Sequence, residues 1–347
     1  MMNNGNMKRI FCLLAVLFCS FSIFNVFAQE EYATPKPGEG ISAFLERNKR
    51  PGKACYDKFM ELNKNRLRGK KELLLGVKYM LPPLGNGASE ATSPTSAANK
   101  KRVVRERLFG KKLAEVEVTS DRLQGACFYV VSGHGGPDPG AIGKIGKVEL
   151  HEDEYAYDVA LRLARNLMQE GAEVRIIIQD SKDGIRDSRY LSNSKRETCM
   201  DDAIPLNQVA RLQQRCVKIN ELYKKDRTKY NYCRAIFLHV DSRSKSAQTD
   251  VFFYHAPKSA PGKKLAVTMK DTFESKYDKH QPARGFQGTV SARNLYVLLQ
   301  AVPVSVFVEL GNIQNAFDQR RFVISSNRQA LAKWMTEGFI ADYKSSK

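Results

Sequence analysis

The chain has 347 residues, 42% of them apolar and 27% charged, with a formal net charge of +19. Its seven cysteines are spread too thinly over that length to form a dense disulfide framework. So basic a balance would point to nucleic acid in a cytoplasmic protein, and the first thirty residues argue against that location.

Lys8 and Arg9 precede an almost uninterrupted apolar run over residues 10–27, and Val26-Phe27-Ala28 offers the small residues that a signal peptidase reads. This pattern predicts a signal peptide over 1–28, cleaved after Ala28. A run of about 18 apolar residues is also near the lower limit for a retained membrane anchor. Cys19 lies inside the run, with no small-residue lipoprotein box leading into it. No later stretch is long and apolar enough to span a bilayer, so a periplasmic or wall-associated location is expected. Cleavage removes two positive charges, Lys8 and Arg9, and no acid, leaving +17. Outside the membrane the polyanions within reach are the wall, anionic headgroups and lipopolysaccharide; no nucleic-acid partner is expected. The mature chain keeps Cys55, Cys127, Cys199, Cys216 and Cys233. An oxidising compartment permits a bridge or two, with no connectivity readable from sequence. Cys127 and Cys233 read as buried strand thiols, and the absence of any CxxC pair leaves a cysteine zinc site unsupported.

Residues 38–83 form a compact segment. Residues 84–101, rich in Pro, Gly, Ser, Ala and Thr, read as a flexible linker because they cannot bury enough apolar surface to order themselves. Residues 102–347 are of a size that supports one core. Strands are predicted over 126–131, 173–178, 235–240, 251–254, 294–299 and 304–310. Helices are predicted over 152–170, which Gly171 stops, and over 206–223, 265–273 and 327–343. Alternating strands and helices argue an α/β domain: a twisted, mostly parallel sheet with helices on both faces. In such sheets ligands gather at the carboxyl ends of the strands.

Of the five histidines, His280 sits among charged residues, His255 ends a strand and His151 precedes a helix. His134 and His239 each lie at or beside the carboxyl end of a predicted strand, in VVSGHGGPDPGAIG and AIFLHVDS, and Glu309 holds the same place in VFVELGN. Zinc accepts imidazole nitrogen and carboxylate oxygen, and a catalytic site keeps one position open for water. A separate carboxylate is then needed to carry the proton.

GHGGPDPGAIG, the Glu-led helix after it, FLHVDS and VFVELGNIQNAFD together resemble the zinc-dependent N-acetylmuramoyl-L-alanine amidases (amidase type 3), over roughly residues 124–345. The resemblance implies that His134 and His239 bind Zn2+ and that Glu309 is the catalytic carboxylate. It also implies a third ligand, a glutamate at the start of the helix. In HEDEYAYDVALRLARNL the apolar positions Ala156, Val159, Leu163 and Leu167 extrapolate back to Glu152, while Glu154 keeps company with Asp158 and Arg165. The register favours Glu152, with Glu154 as the alternative. Several positions depart from the family pattern: Val131 and Ser132 ahead of the first histidine, Gln179-Asp180 after the second strand, and Asn312 after ELG. Residues 181–204 and 222–232 read as insertions against the same pattern. These departures bear on substrate preference and remove no ligand.

The N-terminal segment resembles a degenerate LysM module, a small βααβ fold that binds N-acetylglucosamine chains. GEGISAFLERN, FMELNKN and LLLGVKYMLPP carry that likeness. These resemblances imply a secreted hydrolase cutting the amide between N-acetylmuramic acid and L-alanine, with the glycan strand and stem peptide of peptidoglycan as partner. The sequence names no protein activator. A zinc peptidase acting within the stem peptide, and a wall-binding regulator with an inactive catalytic domain, are the alternatives.

Overall fold

The computed structural model describes residues 31–36, 39–67, 73–83 and 102–347. The expected signal peptide and linker lie outside these residues. Two compact units divide the chain, Met1–Ala97 and Ala98–Lys347. No helix among the described residues is long and apolar enough to cross a membrane.

In the first unit a short strand, Tyr32–Ala33, pairs antiparallel with Tyr79–Met80, and the helices Ile41–Arg47, Lys53–Leu62 and Lys64–Leu67 lie between them in sequence. The folded unit therefore reaches back before residue 38. Phe44, Phe59 and Tyr79 pack their rings at tilted and edge-on angles at its centre, with Ile41, Leu45, Leu67 and Leu81 around them. The buried Asn63 closes the unit: its Nδ2 donates to the carbonyls of Phe59 and Met80, and its Oδ1 accepts from the Met80 amide. One side chain thus ends a helix and pins a strand.

The second unit is built on a six-stranded sheet. In chain order its strands are β1 (Ala126–Ser132), β2 (Glu173–Ile176), β3 (Tyr232–Asp241), β4 (Phe252–His255), β5 (Val290–Ala292) and β6 (Val304–Asn312). They lie across the sheet in the order β5-β4-β6-β3-β1-β2. All neighbours are parallel except β4, which runs against β6. The sheet is mostly parallel, as the alternating pattern predicts. The near-continuous apolar runs of β1, β3 and β6 follow from burial on both faces. Phe128, Val130, Ile236, Leu238, Val306 and Val308 pack in one core with α1 (Glu152–Gln169), α3 (Ala260–His280) and α5 (Ser325–Lys344). Tyr129, Val131, Phe237 and Phe307 pack in the other with α2 (Gln208–Asp226) and α4 (Tyr296–Gln300).

The α4 helix corrects the strand expected over 294–299. YVLL is too short and apolar for periodicity to separate a strand from a buried helical turn, and here one turn sinks Val297 and Leu298 into the core. Residues 222–232 hold the last turn of α2, which runs on to Asp226, whose carboxylate meets Arg175, and the start of β3 at Tyr232. The strand expected over 173–178 breaks in two. Ile178–Gln179 leaves the main sheet to join a small antiparallel sheet with Thr198–Cys199 and Asp202–Ala203. Cys127 and Cys233 sit opposite one another on β1 and β3, both buried.

A buried ion cluster ties α1 to α5. Asp158 Oδ2 accepts from Arg162 Nε at 2.8 Å and from Arg328 Nε at 2.5 Å, and Oδ1 accepts from the Arg186 amide at 2.7 Å. Arg328 is wholly buried and also donates to the carbonyls of Phe322, Arg186 and Ser188. Removing one partner leaves the others charged in an apolar surrounding, which costs about 3–5 kcal/mol. Asp158→Ala should lower unfolding stability by that amount in urea titrations; a change below about 1 kcal/mol, the scale of an exposed pair, would reduce the cluster to a surface feature.

Candidate metal centre

The carboxyl end of β1 runs into the glycine-rich turn that carries His134, and the carboxyl end of β3 carries His239. The hairpin Ile142–Ile145 and Val148–His151 then delivers the chain to the first residue of α1, Glu152. Helix N-termini favour carboxylates, so an acid is well placed there. Its side chain is held from two sides. Oε2 accepts from the Ala141 amide at 2.8 Å and lies 3.2 Å from His134 Nε2; Oε1 accepts from the Val240 amide at 2.9 Å and lies 3.0 Å from His239 Nδ1. One donor atom from each of His134, Glu152 and His239 falls within 4.8 Å of the others.

The imidazoles are fixed from behind. His134 Nδ1 is 2.8 Å from Asp138 Oδ2, which Arg211 Nη2 also contacts at 2.6 Å, so Nε2 faces inward. The backbone of His134 is left-handed, with φ of 57°, a conformation that costs a non-glycine residue energy. Arg215, buried on α2, holds its carbonyl at 3.0 Å. His239 stacks on Phe307 of β6, ring centroids 4.3 Å apart. Gly133 leaves the space that the His239 ring occupies: a Cβ there would come within 2.4 Å of the ring. At Gly140, where φ is +68°, a Cβ would meet Glu152 Oε2 at 2.7 Å. Overpacking of this kind costs about 1–3 kcal/mol. Gly133→Ala should therefore displace the His239 ring, which would appear as shifted imidazole resonances and weakened metal binding; unchanged spectra would mean that the ring has slack.

The charges follow from the packing. Burial opposes an imidazolium at His134, but Asp138 and Glu152 outweigh it and push its pKa up to about 10. Burial dominates at His239 and lowers its pKa despite Glu152. Burial would raise the Glu152 carboxyl, yet its two histidines hold it well below the usual range. Glu309 is opposite His239 in the β3–β6 register. Its Oε2 is buried without a hydrogen-bond partner, and burial first, then the negative charges of Glu152 and Asp241, raises its pKa well above the ordinary carboxyl value.

The remaining candidates separate cleanly. His255 bonds the carbonyl of Ala256, His280 stacks on Trp334, and His151 precedes α1 with its ring near Glu149 and no capping bond. Glu154 points away from the histidines, toward Arg186 and the Ser194 amide. Asp138, Arg211, Arg215 and Phe307 are supporting residues that sequence patterning does not single out. Asp138 alone leaves a signal, four residues beyond His134 inside the glycine-rich motif.

Two imidazoles and a carboxylate converge beside an unpaired buried carboxyl, a set of donors that could hold one metal ion. Residues 129–341 match the family described as Amidase_3, N-acetylmuramoyl-L-alanine amidase, and the chain belongs to that family. Among solved structures, the N-acetylmuramoyl-L-alanine amidase of Clostridium difficile 630 is similar at 19% identity, covering 65% of this chain and 100% of its own, with a TM-score of 0.46. AmiC2 of Nostoc punctiforme is 20% identical, over 65% of this chain and 99% of its own, with a TM-score of 0.44. Ami1 of Mycobacterium smegmatis is 15% identical, over 64% and 99% respectively, with a TM-score of 0.46. No curated protein matches the chain.

Proposed function

We propose that the chain is an exported peptidoglycan hydrolase that cleaves the amide between N-acetylmuramic acid and L-alanine at a zinc ion held by His134, Glu152 and His239. The observation that carries this reading is the convergence of those three donors beside the unpaired carboxyl of Glu309. Zinc bound there would acidify a water and polarise the scissile carbonyl. Glu309 accepts the proton of the attacking water and returns it to the departing L-alanine nitrogen. Asp138 keeps a proton of His134 on Nδ1, so Nε2 is the nitrogen that would bind the ion once its own proton is released. Ala141 and Val240 hold the Glu152 carboxylate between the two rings, so little reorganises when a cation enters.

Mass spectrometry of digested sacculi tests the bond. Stem peptides with a free L-alanine amine and glycans with intact lactyl groups are expected. New amines inside the stem peptide would replace this reading with a peptidase.

The signal peptide over 1–28 places the reaction outside the cytoplasmic membrane. The first unit acts as a LysM-like wall-binding module; its paired strands, with the helices between them in sequence, and the staple at Asn63 support that role, although a third short helix, Lys64–Leu67, is added to the two of the βααβ pattern. Deleting residues 31–83 should leave hydrolysis of soluble muropeptides intact and weaken pull-down with insoluble sacculi. Equal sacculus binding by the truncated protein would remove the module's role.

A further inference from the structure

The two acids that follow Glu152 on α1 turn away from the histidines into a second cluster. Asp153, Glu154 and Glu197 are all buried, and one carboxylate oxygen from each lies within 4.8 Å of the others. Glu197 comes from the 181–204 segment, between Ile178–Gln179 and α2. Four of the cluster's six carboxylate oxygens have partners, both of Glu154's among them. Glu154 Oε1 accepts from the Ser194 amide at 2.5 Å and Oε2 lies 2.8 Å from Arg186. Glu197 Oε2 accepts from the Gly136 amide at 2.8 Å, and Asp153 Oδ1 from the Glu154 amide at 2.9 Å. Asp153 Oδ2 has no partner, although the residue is only 3% exposed.

Arg186 pairs with one of the three carboxylates, Glu154, and also meets Asp183 outside the cluster. Uncompensated charge is expensive to bury, and an orphaned buried oxygen calls for a positive ligand. We infer that Asp153, Glu154 and Glu197 form a second cation site, distinct from the His134–Glu152–His239 centre, that takes a hard divalent ion of the calcium class. The donors are all carboxylate oxygens, with no nitrogen or sulfur among them, a set that suits calcium and not a softer metal. Their spacing suits it too, since oxygens bonded at about 2.3–2.6 Å on opposite sides of one ion stand roughly 5 Å apart. Arg186 stays on Glu154 and supports the site from the side. The ion clamps the 181–204 segment to the start of α1, and through Glu197 and the Gly136 amide it steadies the turn that bears His134.

The test uses the full chain, with zinc already supplied, titrated with CaCl2 by calorimetry and assayed by elemental analysis after dialysis. A single calcium ion per chain is expected, bound below about 1 mM. Glu197→Gln keeps an acceptor for the Gly136 amide but removes a charge, and Asp153→Asn removes the orphaned oxygen. Both should weaken calcium binding roughly tenfold or more while retaining zinc, because affinity follows the charge count of the ligands. Calcium should slow proteolytic nicking within 181–204 in the parent and not in Glu197→Gln. His239→Ala should still bind calcium, so failure of the zinc reading leaves this measurement intact. No calcium uptake by the folded parent, or parent-like binding in both variants, would overturn the site and leave a cluster that shares protons.

Discussion

Glu309→Gln is expected to keep its zinc and to lose roughly 10²–10⁴ in turnover, the range that a positioned proton carrier supplies. Glu309 Oε2 is buried and unpartnered, on the strand beside the one that ends in His239. Burial, reinforced by Glu152 and Asp241, raises its pKa, and so makes its carboxylate a stronger base than a solvated one. Glutamine preserves the shape and cannot take a proton. Zinc content and kcat on a soluble muropeptide, measured on the same preparation, separate the roles. Loss of zinc together with rate would make Glu309 a ligand, and an unchanged rate would assign the proton to another group.

The parts of this centre differ in how far they can be read from the chain. His134 and His239 announce themselves because each ends an apolar run at the place where open sheets collect ligands. Glu309 is legible as a strand-end acid, but its opposition to His239 depends on a pairing across seventy residues that no local pattern carries. The helix register distinguishes Glu152 from Glu154 because α1 begins at Glu152 and packs Val159, Leu163 and Leu167 into the core. Arg215 and Phe307 are invisible by the same logic: an arginine within QQRC and a phenylalanine within a buried strand look like a solvated helix face and a core residue. The segment 181–204 reads as an insertion, yet it brings Glu197 across more than forty residues to Asp153 and Glu154. The misjudged strand over 294–299 shows the limit from the other side, since four apolar residues satisfy either geometry.

The contrast between Glu152→Gln and Glu154→Gln reports directly on which carboxylate belongs to the histidine centre. Both residues are buried, both lie in the first turn of α1, and they are separated by two positions. Two positions are about 200° of rotation at 100° per residue, enough to aim the side chains oppositely. Glu152 therefore reaches His134 Nε2 and His239 Nδ1, while Glu154 reaches Arg186 and Ser194. Glutamine at 152 can accept from only one of the Ala141 and Val240 amides, because its amide nitrogen replaces the oxygen that serves the other, and the anionic donor is lost with it. Changes in groups that merely orient a ligand already cost about 10–100-fold in metal affinity, so loss of a ligand's charge should cost at least that, and hydrolysis with it. Glu154→Gln should hold its zinc and most of its activity, with any loss appearing in unfolding stability through the Arg186 pair. Competition against a zinc chelator, read beside urea unfolding, gives both quantities for both proteins. If Glu154→Gln proves to be the variant that releases zinc, the helix start is wrongly placed and the two carboxylate clusters exchange roles.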